Sequence, residues 1–287
     1  MTAGDWHVKG DRLLEILAGN EKPVVLLIDE VPILVNRLLK GYDYVITPER
    51  REAADGFLSW LRSNSIQHQG RIRMVITGSI GLEPLVHQAG LSGTLNTFAP
   101  FDLGPWRRET AGGCLRALAN GYELALQPEV VEEMLERLGM CIPGHVQMFF
   151  DHVYQAARLR RLGEVSRDLV AEVYNQSMLG IRGHVELSHL EERLKTVLGP
   201  KLNLLAIDLL TEAAVTGSLA PEAAAGLAQE HFGEQWTERL REVLGILEHD
   251  GYLGKANGAY LFLSRLVKDW WKARFEFAYV PISQRRR

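Results

Sequence analysis

The stretch Lys22-Pro23-Val24-Val25-Leu26-Leu27-Ile28-Asp29-Glu30 decides how this chain is read. Five consecutive β-branched and aliphatic residues closed by two acids suit a strand buried on both faces, because a parallel sheet covered on each side has no polar face to alternate with. The acids mark where that strand reaches solvent. Beyond it, Pro32 stands where a helix can start, Ile33 to Lys40 carries helical periodicity, and Pro48 to Ser63 gives a second amphipathic helix through Phe57, Leu58, Trp60 and Leu61. Ahead of it, Asp11 to Leu17 is helical in period. A second short apolar strand, Met74-Val75-Ile76, runs into Thr77-Gly78-Ser79, and Thr97 to Leu103 is a third, weaker candidate. This alternation predicts an α/β layer with a mostly parallel sheet over residues 1–105.

From Pro105 onward helical patterns take over: Trp106 to Ala119, Pro128 to Leu138 and Val146 to Leu162. They predict a helical lid. Between Gly163 and Pro200, with breaks at Gly180, Gly183 and Gly199, shorter helices and a linker are expected, so that the lid and linker occupy 106–199. The last block, 200–287, reads as three helices, then Gly251-Tyr252-Leu253 and Ala259-Tyr260-Leu261-Phe262-Leu263 around Ala256-Asn257-Gly258, then a final helix. Asn-Gly between two apolar runs is a hairpin signal. Three helices followed by a two-stranded wing is the winged-helix arrangement, with Gln235 to Glu248 as its candidate recognition helix.

Composition excludes several classes of protein. With 287 residues, 46% hydrophobic and 24% charged, the chain has the make-up of a folded globular protein rather than a disordered one. A net charge of -4 offers no general attraction to polyanions, although Arg158, Arg160, Arg161 and Arg285 to Arg287 form local basic clusters. The two cysteines, Cys114 and Cys141, are far apart and make neither a disulfide framework nor a zinc motif. No signal-peptide pattern opens the chain and no apolar run approaches the roughly 20 residues of a spanning helix, so a cytoplasmic location is expected.

Nucleotide hydrolysis on an α/β sheet needs one acid at a strand end to hold Mg²⁺ and a second beside it to orient or deprotonate the attacking water. Asp29-Glu30 meets that requirement, although two charges at the end of a buried strand are common without any such role. Thr77 and Ser79 end the second strand, where a hydroxyl could face the γ-phosphate or the water; taken alone, Thr-Gly-Ser is a turn.

Three segments make a resemblance specific: Lys22-Pro23-Val24-Val25-Leu26-Leu27-Ile28-Asp29-Glu30-Val31-Pro32-Ile33-Leu34, Phe57-Leu58-Ser59-Trp60-Leu61-Arg62, and Thr77-Gly78-Ser79-Ile80-Gly81-Leu82-Glu83-Pro84-Leu85. Together they resemble the archaeal-type ATPases of the signal-transduction (STAND) group within the AAA+ class of P-loop NTPases. Phe101 to Trp106 looks like the last core strand of that family, Gly139 to Gln147 like its lid motif, and Leu244 to Tyr252 with Asp269-Trp270-Trp271 like its C-terminal winged helix. The resemblance implies ATP and Mg²⁺ as cofactors, Asp29 as the Walker B metal residue, Glu30 as catalytic base and Thr77 or Ser79 as the sensor. It implies Pro143 as a lid contact to the base, with His145 as a second candidate in the lid. No arginine lies between Leu82 and Leu95, where ring-forming relatives carry a subunit-bridging finger, and this favours a switch over a hexameric motor.

The departure from the family is at the start. A P-loop needs G-x-x-x-x-G-K-[ST] so that backbone N–H groups and a lysine cradle the phosphates, and the sequence contains no such string; Gly4 to Gly10 has the wrong order. The expectation is therefore a fragment, a split-gene product or a miscalled start, with an incomplete sheet that a protein partner or a missing N-terminal segment completes. Function reads first as a nucleotide-dependent regulatory switch. The alternative is a winged-helix regulator that binds DNA or protein beside a degenerate ATPase core, though Glu238, Glu242 and Glu248 offset Arg239 and Arg241 on the recognition helix.

Overall fold

The structure, a computed structural model, describes residues 5–285, so Gly4, Arg286 and Arg287 lie outside it. The chain divides into two units: residues up to Phe101 with Thr196–Gly199, and residues 102–195 with those from Pro200 onward.

The first unit contains α1 (Asp5–Ala18), β1 (Val24–Ile28), α2 (Val31–Lys40), α3 (Pro48–Gln67), β2 (Ile72–Ile76) and α4 (Leu82–Gln88). β1 and β2 pair in parallel, in register from Val24 opposite Ile72 to Ile28 opposite Ile76. The two strands predicted from the sequence are thus neighbours and end at the same edge. Val31, Val35, Leu39, Leu58, Leu61 and Val86 form the core under one face of this sheet, with Ile28, Met74 and Ile76 packed against them. The other face is open: Val25 and Val75 are exposed and Leu27 is 78% exposed. An all-apolar strand was expected to be covered on both sides. Among the described residues, helices cover one side alone.

α2 starts from an unusual turn. Glu30, its N-cap, has φ 58° and ψ 28°, a left-handed conformation that costs a residue with a Cβ about 1–2 kcal/mol. Pro32 in the first turn has a preset φ and no N–H to leave unsatisfied. α3 is started in the ordinary way, by the Thr47 side chain accepting from the Arg50 N–H, with Pro48 following. At the other end of α2, Asn36 Nδ2 donates to the Thr196 carbonyl at 2.9 Å and Lys40 Nζ to the Val197 carbonyl at 2.7 Å. Those carbonyls precede Gly199 (φ 72°, ψ 174°) and Pro200, where helical hydrogen bonding is interrupted.

The third strand expected at Thr97 to Leu103 does not form. Residues 96–107 have no ladder, and Phe101 and Leu103 are each 86% exposed. A short apolar run becomes a strand only when a neighbouring strand takes its backbone groups, and none of the described residues does so.

The second unit is helical apart from one hairpin. Its helices are α5 (Arg108–Gly121), α6 (Pro128–Leu138), α7 (Pro143–Leu159), α8 (Arg167–Val173), α9 (Ile181–Thr216), α10 (Pro221–Phe232), α11 (Trp236–His249) and α12 (Arg265–Phe275). Instead of a linker of short helices over 163–200, α8 passes through a π-helical turn at Tyr174–Met178 into α9, which runs through Gly183 and breaks only at Gly199. The hairpin pairs β3 (Leu253–Ala256) with β4 (Ala259–Phe262), turning at Asn257-Gly258, where both residues have positive φ. Trp270 and Trp271 of α12 are buried, and Trp271 Nε1 donates to Thr211 Oγ1 at 3.1 Å. Gly139 (φ 69°) ends α6 where an added Cβ would stand 2.8 Å from the Arg265 backbone nitrogen. No helix among the described residues is long and apolar enough to cross a membrane.

Candidate functional site

The parallel register of β1 and β2 carries two short acidic and hydroxyl segments to one sheet edge. Past the strands the ladder continues, with the Thr77 N–H donating to the Ile28 carbonyl at 3.0 Å and the Val31 N–H to the Thr77 carbonyl at 3.3 Å. Side chains then pair across it. Thr77 Oγ1 donates to Asp29 Oδ1 at 2.6 Å, and the Glu30 N–H donates to the same oxygen at 2.9 Å. Glu30 Oε2 accepts from Ser79 twice, from the hydroxyl at 2.9 Å and from the backbone N–H at 3.1 Å.

Each carboxylate is therefore held through one oxygen, while its second oxygen takes no bond among the described residues. The left-handed turn at Glu30 makes this possible. Adjacent residues in a strand point to opposite faces, but a backbone reversal at Glu30 swings its side chain to Ser79 while Asp29 faces Thr77. Gly78 lies between the hydroxyls, and a Cβ there would stand 2.4 Å from Pro32 Cδ, so only glycine lets the loop close on the start of α2. Asp29, Glu30 and Thr77 are all exposed to solvent.

The four residues singled out at the strand ends thus come together. Pro143 and His145 do not join them in the same unit: both open α7 in the second unit. His145 is 7% exposed, and burial pushes its pKa down to about 4, with help from His189 and Arg193. The role of Pro32 and Gly78 as the contact that sets the loop was missed in the sequence, where Thr-Gly-Ser read as a turn; a proline two residues after the acid was the available signal. Arg108, just past Phe101 to Trp106, pairs with Glu132 at 2.7 Å. Basic groups paired elsewhere include Arg160 with Glu172, Arg285 with Glu230, Arg239 with Glu242 and Lys255 with Glu248.

Hard oxygen donors and no nitrogen or sulfur suit Mg²⁺, which takes one or two carboxylates and completes its shell with water and phosphate oxygens. Among the described residues no group of three or more His, Cys, Asp or Glu could hold a metal by itself. The donor set fits an ion that arrives with its own ligands.

No family model matches the chain, and no curated protein matches it. Solved structures do. The Walker-type ATPase PABY2304 of Pyrococcus abyssi is similar over 95% of this chain and 68% of its own, with a TM-score of 0.59 at 13% identity. The RuvB Holliday junction branch migration motor of Thermotoga maritima aligns over 88% of this chain and 71% of its own at 14% identity, with a TM-score of 0.42. The chain has a mostly helical α/β fold with a small parallel sheet, similar to that of a Walker-type ATPase.

Proposed function

We propose that the chain is an ATP-binding regulatory switch of the STAND type, in which Asp29, Glu30, Thr77 and Ser79 form the metal and water side of a nucleotide site. The observation that carries this reading is the double clamp: two adjacent carboxylates, each fixed by a hydroxyl from the neighbouring strand, each with one oxygen left over. Two charges that merely ended a strand would need no such partners. Asp29 would hold Mg²⁺, which supplies charge neutralisation at the phosphates, and Glu30 would orient or deprotonate the attacking water. Thr77 keeps Asp29 in place and Ser79 keeps Glu30. In this reading residues 1–105 are the ATPase core, 106–199 the lid and linker, and 200–287 a winged-helix domain through which the nucleotide state is passed on. The uncovered apolar face at Val25, Leu27 and Val75 would suit a polypeptide partner.

No phosphate-cradling glycine and lysine string exists in the sequence, so affinity is expected to be weaker than micromolar. Calorimetry of the full chain with Mg-ATP tests the assignment. Asp29→Ala should weaken binding by on the order of 10-fold or more. Any measurable turnover should fall by about 10² to 10⁴ in Glu30→Gln, which keeps the shape but not the base. Binding unchanged by Asp29→Ala would return the pair to a charged strand terminus. A DNA-binding role for α11 has little support, since Arg239 is paired with Glu242 on that helix.

A further inference from the structure

A second feature of the molecule is unrelated to the strand ends. Within the second unit a cavity of about 400 Å³ lies among the N-terminus of α7, the middle of α9, the turn Asp250-Gly251-Tyr252 and the start of α12. That volume is in the range of small-molecule sites, roughly 300–1,000 Å³. Its wall is largely apolar, with Met148, Leu187, Leu190 and Val267, and carries charge of both signs.

Three observations show polar groups there that the fold itself leaves unused. His145 is more than nine-tenths buried, and its Nδ1 is sealed from solvent with no hydrogen-bond partner among the described residues. A buried ring nitrogen without a partner costs the fold about 1–3 kcal/mol, so it marks a place where something else can bond. Secondly, the Arg193 guanidinium reaches the cavity with no carboxylate paired to it among the described residues, close enough to influence both His145 and the Tyr252 hydroxyl. Thirdly, α7 is 17 residues long and starts at Pro143, so its first N–H groups point out of the helix end with no helical acceptors. On the acidic side stand Asp250, held by His249 at 3.0 Å, and Glu186, held by His152 at 2.8 Å.

We infer that this cavity is a binding site for a small zwitterion with an apolar body, an α-amino acid of the leucine, methionine or phenylalanine type. The carboxylate would lie against Arg193 and the N-terminus of α7, the ammonium toward Asp250, and the side chain among Met148, Leu187, Leu190 and Val267. His145 accepts or donates one hydrogen bond at the junction. Charge sets this choice: a polyphosphate brings several negative charges toward two carboxylates and one free guanidinium, whereas a zwitterion matches both signs. His145, buried and neutral, can bond to a carboxylate or an ammonium without a change of charge.

The test uses the full chain and ¹³C-histidine-labelled protein, titrated with L-leucine, L-methionine and L-phenylalanine, with leucinamide, N-acetyl-leucine and AMP as comparisons. The expected result is saturable movement of the His145 ring signals by at least one amino acid, with leucinamide and N-acetyl-leucine each binding at least 10-fold more weakly. Arg193→Gln should abolish the preference for leucine over leucinamide, and Asp250→Asn the preference over N-acetyl-leucine, while far-UV dichroism stays that of the parent. Should either variant unfold, the comparison of blocked and unblocked ligands on the parent chain still decides. Absence of saturable binding by all three amino acids up to 50 mM overturns the inference, as do equal affinities for blocked and free leucine or tighter binding of AMP. Since Asp29→Ala is silent here and Arg193→Gln is silent at the strand ends, failure at one site is told apart from failure at the other.

Discussion

Replacing Gly78 by alanine should do disproportionate damage for a single methyl group. The added Cβ would stand 2.4 Å from Pro32 Cδ and 2.6 Å from its Cγ, about 1 Å inside ordinary van der Waals contact. A flexible side chain could turn away, but Pro32 is a ring fixed to the backbone of α2. The helix cannot slide outward either, because Val31 and Val35 on its inner side are 2% and 0% exposed. Relief must come from moving the 77–79 loop, which withdraws Thr77 from Asp29 and Ser79 from Glu30. Overpacking costs about 1–3 kcal/mol, and loss of exposed hydrogen bonds adds up to about 1 kcal/mol. A destabilisation of roughly 2–3 kcal/mol corresponds to a 30- to 150-fold rise in the opening equilibrium. Native-state hydrogen exchange of the β1 and β2 amides reads it directly, and Gly93→Ala in the same unit, with nothing within 4 Å of its new Cβ, is the control. If Gly78→Ala and Gly93→Ala exchanged alike, the reasoning that the loop is seated on Pro32 would be refuted.

Three other outcomes follow from features already described. In the second unit, Gly139→Ala forces a Cβ onto a φ of 69° and to 2.8 Å from the Arg265 nitrogen, so thermal unfolding should begin several degrees lower than in Gly163→Ala, whose surroundings are open. His145 has its pKa lowered from 6.5 to about 4, so the unfolded chain takes up a proton that the folded one resists. Stability from this group is complete above pH 6.5 and is lost as pH falls toward 4, by about 3 kcal/mol in all. Exchange of the α7 amides should show that loss in the parent and not in His145→Gln. Thr77→Val keeps the shape of the side chain but not its donor, so the Asp29 carboxylate loses its clamp and the Glu30 amide, which donates to the same oxygen at 2.9 Å, should exchange with solvent faster; an unchanged rate would mean that the 2.6 Å bond does not hold the carboxylate in place.

Much of this architecture can be read from local sequence because local rules govern it. A run such as Val24 to Ile28 has few alternatives to a strand, Pro48 and Pro128 preset the first turns of their helices, and Asn257-Gly258 supplies the positive φ of a hairpin. The two strand ends were legible together because two short apolar runs separated by helices suit a parallel pair, whose ends share one edge. What did not show was whatever depends on neighbours. Phe101 and Leu103 carry the composition of a strand, but no neighbouring strand takes up their backbone groups. Gly180 and Gly183 looked like breaks, yet α9 passes Gly183, since a glycine lowers helix propensity by only about 1 kcal/mol and packing outweighs that. His145 gave no sign of its surroundings: the cavity is built from residues more than a hundred positions apart, and no window of sequence contains it.

The parallel pairing of β1 with β2 has a bearing on the order in which this unit assembles. Two antiparallel strands can zip from a tight turn, whereas Ile28 and Ile76 meet only after α2 and α3 have folded back between them. Closing so long a loop is penalised before any ladder bond is gained. Helix formation in α2 and α3 shortens the span that has to be closed before the strand ends with their four polar side chains can meet. Asp29, Glu30, Thr77 and Ser79 share one edge only while β1 and β2 are paired, so the chemistry of this edge depends on the whole of the unit being closed.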